Sequence, residues 1–314
     1  MVLSAFFAGM AAAAAAAGPA PAQAPAWEVI GHSEQGRPIR ARLIGSPRAR
    51  VKLLAVGTVH GNEQAGRAVI RRLTRAHPPR GTALWLVDDA NPDGTAAGAR
   101  HNANGVDLNR NFPYRWQPQD GVYESGPGPA SEAETQVMQR FIERERPRVT
   151  LWYHQALQIV VKSTGDAKLE RLYSARSGLP RRALPRYHGT AVSWQNTTFA
   201  GDTAFVVELP GGALPPAGVR RQSRSVLALA RAVAPPREVA KPIPYGPARR
   251  ADMDDYAQRH YGFHDHRLRK PRVIVEHYTV TSSFPPVFDY FSRNEPDPEH
   301  HELPGVCSHY VIDR

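Results

Sequence analysis

Residues 57–66 read "GTVHGNEQAG" and place His60 and Glu63 three positions apart in a glycine-bounded turn, directly after the apolar run "VKLLAV". An imidazole and a carboxylate at that spacing supply two of the three protein ligands of a catalytic zinc-type centre, whose fourth position stays open for water. With 13 His and 29 Asp plus Glu in 314 residues, chance alone yields about one such pair, so the pair needs a third partner to mean anything. "TLWYHQ" offers His154 at the end of a second apolar run, and "AFVVELP" offers Glu208 within a third. In open α/β sheets, sites form beyond the carboxyl ends of the strands. Taken singly, each residue reads equally well as a loop or strand-end group. Their arrival at one sheet edge is what points to a metal centre.

A second informative stretch is "ARHNANGVDLNRNFP", residues 99–113. It is too polar for a core element. Arginine suits carboxylate recognition because its planar fork engages both oxygens, and asparagine adds an amide donor. A plain surface loop would account for the asparagines but not for this ordered run.

The elements that must position these groups follow from periodicity. Buried strands are expected over 51–57, 82–89, 148–154 and 203–209, with helical patterns starting at 63, 131, 166 and 220. Ser131 and Glu134 are placed as a capping box at the second of these helices. The alternation predicts an α/β fold with a mixed, largely parallel sheet flanked by helices. Near 235 the chain turns rich in proline and charge, and 236–265 reads as a linker with one short helical piece. A strand is expected over 271–280 and another at the end of the chain. Residues 266–314 then make a short, incomplete α/β segment of about 50 residues, below the size that usually folds alone.

The formal charge of +11 favours acidic partners. The arginine doublets at 71–72, 181–182, 220–221 and 249–250 are scattered and lack interleaved aromatics. They read as solvated helix faces, so no nucleic-acid partner is expected. Cys307 is the sole cysteine, which excludes an internal disulfide and says little about compartment. Residues 1–26 combine an apolar stretch with Ala-x-Ala spacing, a signal-like leader that implies export even without a basic residue ahead of it. No other segment is apolar enough to span a membrane, and the protein is expected to be a monomer.

Six segments, "HGNE", "NPDG", "ARHNANGVDLNRNFP", "GPGPASEAET", "WYHQ" and "FVVELP", resemble in order and rough spacing the zinc carboxypeptidase family, and most closely its bacterial branch acting on cell-wall peptides. The resemblance spans residues 27–235 as one domain. It implies zinc held by His60, Glu63 and His154, with Asn109 and Arg110 gripping the terminal carboxylate of a peptide. Arg100 would polarise the scissile carbonyl, and Glu208 would be the general base. Tyr187 of "PRYHGTAVSW" matches a substrate-binding tyrosine, although its distance to Trp194 departs from that of the digestive members. The substrate-side pocket would lie near Val192.

"PRVIVEHYTVTSSF" with "CSHYVIDR" is similar to the opening of the zinc-dependent N-acetylmuramoyl-L-alanine amidases, which implies a ligand role for His277 and none for His309. A single ligand holds no catalytic zinc, so this segment is expected to be inactive. The shared context implies peptidoglycan peptides as substrate. An amidase and a non-catalytic wall-binding module are the alternatives.

Overall fold

A computed structural model of the chain describes residues 26–235, 239–242, 244, 246–265, 284–293, 296, 301, 303 and 310–313. The chain divides into two compact units, the second beginning at Pro235.

The first unit is built on one sheet of β1 (Glu28–His32), β2 (Pro38–Gly45), β3 (Val51–Val56), β4 (Thr82–Val87), β5 (Val149–Val161), β6 (Arg181–Arg182) and β7 (Thr203–Pro210). Strand order is β1-β2-β4-β3-β5, with β6 and β7 both pairing β5. β1 with β2 and β2 with β4 are antiparallel, whereas β3, β4, β5, β6 and β7 pair in parallel. The mixed, mostly parallel sheet is thus observed.

Side chains alternate across a strand, and the core follows that parity. Leu53, Ala55, Leu84, Leu86, Leu151, Tyr153, Phe205 and Val207 join one cluster with residues of α1 (Ala65–Leu73), α4 (Ala167–Ser177) and α6 (Pro216–Ala232). Leu54, Val56, Trp85, Val87 and Trp152 join the opposite cluster with residues of α3 (Ala133–Glu145) and α5 (Ala191–Thr198). The sheet is therefore sandwiched between two helical layers. His154 shares parity with Trp152, and Glu208 with Val206, so both project from the α3/α5 face.

Some expectations shift. β5 does not stop at His154 but runs on to Val161, through register irregularities after Ala156 that bring Val160 against β6. The capping box at Ser131 does not form. Glu132 is the N-cap of α3, and the Ser131 hydroxyl is engaged instead by Asn111 Nδ2 and Glu132. The arginine doublets are less scattered than their sequence positions suggest, since Arg71, Arg72, Arg75, Arg220 and Arg224 line one groove of about 670 Å³ between α1 and α6.

In the second unit, the stretch read as a linker contains β8 (Val239–Pro242) and α7 (Pro247–Tyr261). Proline at the first helical position and left-handed Gly262 after the last punctuate α7. α8 (Phe284–Ser292) and β9 (Tyr310–Asp313) follow, and β8 pairs β9 antiparallel. His277, His309 and the strand expected over 271–280 lie outside the described residues.

Packing at the start of α1 gives a test. Gly66 sits where an added Cβ would come within 2.2 Å of the Gly57 carbonyl oxygen and 2.5 Å of Tyr153 Cβ. Helix propensity alone would make Gly66→Ala stabilising by about 1 kcal/mol, whereas overpacking costs about 1–3 kcal/mol. The clash wins. The urea midpoint of Gly66→Ala is expected to fall with an unchanged slope, and a rise would show that α1 can draw away from the sheet.

Candidate active site

Three side chains converge where β3 and β5 deliver them. His60 Nδ1 lies 3.0 Å from Glu63 Oε1 and 3.2 Å from His154 Nδ1, and His154 Nδ1 lies 3.0 Å from Glu63 Oε2. Their ligand atoms all fall within 4.8 Å of one another. Both histidines are buried and Glu63 nearly so. Lone-pair atoms crowded this closely out of water need protons or a cation between them. Burial would raise the Glu63 carboxyl, but hydrogen bonds from His154 and His60 hold it well below the usual range. Two imidazole nitrogens and one carboxylate fit a zinc-type ion with an open position. Glu34, Glu132 and Glu134 make the other acidic cluster among the described residues. Their carboxylates accept instead from Asn102, Asn104 and the Glu34 and Ala133 N–H groups.

The turn that carries His60 is held by close backbone packing. Gly61 leaves no room for a side chain, since a Cβ there would lie 2.0 Å from the Gly94 carbonyl carbon. Asn91 of "NPDG" caps α2 (Pro92–Ala97) and donates from Nδ2 to the Val59 and Arg100 carbonyls. The metal turn and the arginine loop are thereby stapled together.

Asp107 is the hub behind the ligands. Fully buried, its Oδ1 pairs with His60 Nε2 at 2.9 Å and accepts from the Asn109 N–H. Oδ2 accepts from Arg100 Nε at 3.1 Å and Nη2 at 2.7 Å. Burial would raise this carboxyl, but the His60 hydrogen bond and the charges of His60, Arg100 and Arg110 hold it well below its usual range. With Nε2 committed to Asp107, His60 turns Nδ1 toward Glu63 and His154, the orientation a metal-binding histidine would need. His154 Nε2 has no such partner among the described residues. Arg100 Nη1 also reaches Glu63 Oε1 at 3.2 Å.

Asn109 and Arg110 form a short 3-10 turn with Leu108. The Ala191 N–H donates to Asn109 Oδ1, which leaves Nδ2 as the donor end of that amide. Arg110 is buried, donates from Nη1 to the Asn109 carbonyl, and lies 4.6 Å from the Tyr123 ring centre and 4.3 Å from that of Tyr187. Burial pulls its pKa down, partly opposed by Asp107. Gly189, at positive φ, packs on the Arg110 carbonyl and accepts from the Phe112 N–H, which brings the Tyr187 loop against the arginine turn. Val192 is partly buried against the α3/α5-side core.

Glu208 faces His154 in direct β-ladder register. Burial raises its carboxyl above the usual range, with the Glu63 charge adding to burial and the His154 charge opposing it. Gln155 braces the ligand set: its N–H donates to Glu63 Oε2, and its Oε1 accepts from the Ala65 N–H at the start of α1.

Of the eight residues singled out from sequence, seven therefore lie at the C-terminal strand ends or in the 99–113 loop beside them, and Tyr187 reaches Arg110 from the β6–α5 connection. Asp107, Gln155 and Tyr123 were missed. An acid lying between two arginines in an otherwise neutral polar run was a usable signal for Asp107. Tyr123 carried none.

A parallel-centred α/β sheet with a His–Glu–His cluster at its carboxyl edge defines the metallohydrolase class. The M14 peptidase profile, zinc carboxypeptidase, matches residues 22–203. The chain belongs to the zinc carboxypeptidase family. It is 33% identical over 150 residues to murein peptide amidase A of Escherichia coli K12, across 43% of this chain and 62% of that protein. The aligned stretch is thus short of two thirds of that relative. Among solved structures it is similar to murein-tripeptide amidase MpaA from Escherichia coli O157, with 26% identity and a TM-score of 0.53 over 67% of this chain and 92% of that one. Carboxypeptidase A from Helicoverpa armigera, with 17% identity and a TM-score of 0.59 over 67% and 69% of the two chains, shares the fold.

Asp107→Ala tests the hub. Unheld, His60 loses its fixed orientation, and affinity for a divalent metal is expected to fall about 10- to 100-fold. Competition against a chelating indicator reads this directly, and unchanged affinity would remove Asp107 from the site.

Proposed function

We propose that the chain is a zinc-dependent carboxypeptidase that hydrolyses peptide bonds in peptidoglycan stem peptides. The observation that carries this reading is Glu208 in ladder register with His154, beside a convergent His60–Glu63–His154 set. The likeness to murein peptide amidases supports the substrate class. The signal-like residues 1–26 and the charge of +11 suit an exported protein working on an acidic wall.

His60, Glu63 and His154 would hold the zinc, which would supply Lewis acidity and a lowered pKa for a water molecule. Glu208 accepts that water's proton and returns it to the departing amine nitrogen. Its raised pKa suits both halves of the task. Arg100, anchored through Asp107, directs its guanidinium at the negative charge that develops on the scissile carbonyl oxygen. Arg110 and the Asn109 amide bind the terminal carboxylate of the peptide, with Tyr187 at the rim of that subsite. A module that only binds wall material would have no use for a buried carboxylate at Glu208.

Two variants separate chemistry from binding. Glu208→Gln is expected to keep its zinc and fold while turnover of a wall tripeptide falls about 10²- to 10⁴-fold, because an amide cannot take the proton. Arg110→Ala is expected to raise KM chiefly, since the carboxylate contact exists in ground and transition states alike. Near-native turnover in Glu208→Gln would end the general-base assignment.

A further inference from the structure

Arg110 is held in an unusual way for a buried guanidinium. Of its five N–H donors, the contacts among the described residues are one Nη1 hydrogen bond to the Asn109 carbonyl and an Nη1–Asp107 approach at 4.0 Å. Nε is buried with no hydrogen-bond partner among the described residues. What surrounds the group instead is aromatic: Tyr123 at 4.6 Å, Tyr187 at 4.3 Å, and the two rings 5.7 Å apart. Those three distances put the rings at roughly a right angle as seen from the guanidinium carbon, so they form a two-walled corner around it. A ring face attracts a cation through its quadrupole and takes no N–H bond in return. An ion pair would fix the arginine equally well but would occupy the fork that an incoming anion needs.

We propose that Tyr123 is a positioning residue for substrate: it holds Arg110 in place while leaving the arginine's uncommitted hydrogen-bond donors for the planar carboxylate of a peptide terminus. The inference rests on Arg110 being the carboxylate anchor.

Tyr123 is built for a fixed role. It closes a 3-10 turn, Gly121–Tyr123, whose next residue accepts at its carbonyl from the Asp107 N–H at 2.7 Å. His101 Nε2 meets the Val122 carbonyl at 3.1 Å, and Trp116 Nε1 donates to the Ser125 carbonyl. The backbone that seats Tyr123 is thus tied to the backbone of the hub that seats His60 and Arg100. Tyr123 and Tyr187 are each 37% exposed while Arg110 beneath them is buried, so the two tyrosines are the surface residues that cover the guanidinium.

The test compares Tyr123→Leu, Tyr123→Phe and Arg110→Gln on one peptide bearing either a free C-terminal carboxylate or a C-terminal amide. Tyr123→Leu is expected to raise KM for the acid about three- to tenfold, with kcat within twofold and the amide unaffected. Tyr123→Phe, which keeps the ring, is expected to behave as wild type on both. Tyr123→Met, of similar bulk, replaces Tyr123→Leu should the latter not fold. Three results would each overturn the proposal: an unchanged KM in Tyr123→Leu, the same rise in Tyr123→Phe, or an equal rise for acid and amide. If Arg110→Gln erases the preference for the acid while Tyr123→Leu does nothing, the tyrosine's role fails and the anchor stands. If Arg110→Gln leaves that preference intact, the anchor fails and the proposal with it.

Discussion

One buried carboxylate organises the site. Asp107 has no exposed surface, and a charge in that position is tolerable only when its neighbours pair with it. It is satisfied by His60 on one oxygen and Arg100 on the other, while the Asn109 N–H closes the turn that carries Arg110. His60, Arg100 and the turn that carries Arg110 therefore share one reference point. None of them can move without leaving a buried charge short of a partner.

Around that point the molecule supplies two kinds of support. The sheet gives parity: alternate side chains lock into helical layers on either side, and the even-numbered face of β5 and β7 is left to carry His154 and Glu208. The loops give hydrogen bonds. Asn102 and Asn104 end on Glu132, with Asn102 also reaching Glu134, while Asn111 holds the carbonyls of Ser125 and Gly128. The 99–113 run is fixed both by Leu108 and Phe112 in the core and by Asn102, Asn104 and Asn111, each of which donates to a named acceptor, as buried polar groups require.

How much of this was readable beforehand divides along a physical line. Strands such as "VKLLAV" and "TALWLV" are apolar on both faces because both faces are covered, and they announce themselves. β1 is short and mostly exposed and so carried little signal, whereas β2, alternating Ile39 and Ala41 with Arg40 and Arg42 as a half-exposed strand does, carried one that the longer apolar runs overshadowed. Ser131 showed a capping signature, but tertiary demand from Asn111 outbid the local one and moved the helix start by a residue. Among the site residues, the metal-type set was legible because spacing within one turn constrains geometry. Tyr123 was not, because its contact with Arg110 is made by a loop whose path no local pattern specifies.

The ladder pairing of His154 with Glu208 has a further consequence. Two residues opposite one another on hydrogen-bonded parallel strands are held at a separation set by the roughly 4.8 Å spacing of the backbones. Drift in the surrounding loops has no lever on that interval. The rim, built from the arginine turn, Tyr123 and the Tyr187 segment, belongs wholly to connecting chain and answers to a different set of constraints. Substitutions in that rim can therefore change its shape without altering the interval between His154 and Glu208, which the sheet itself sets.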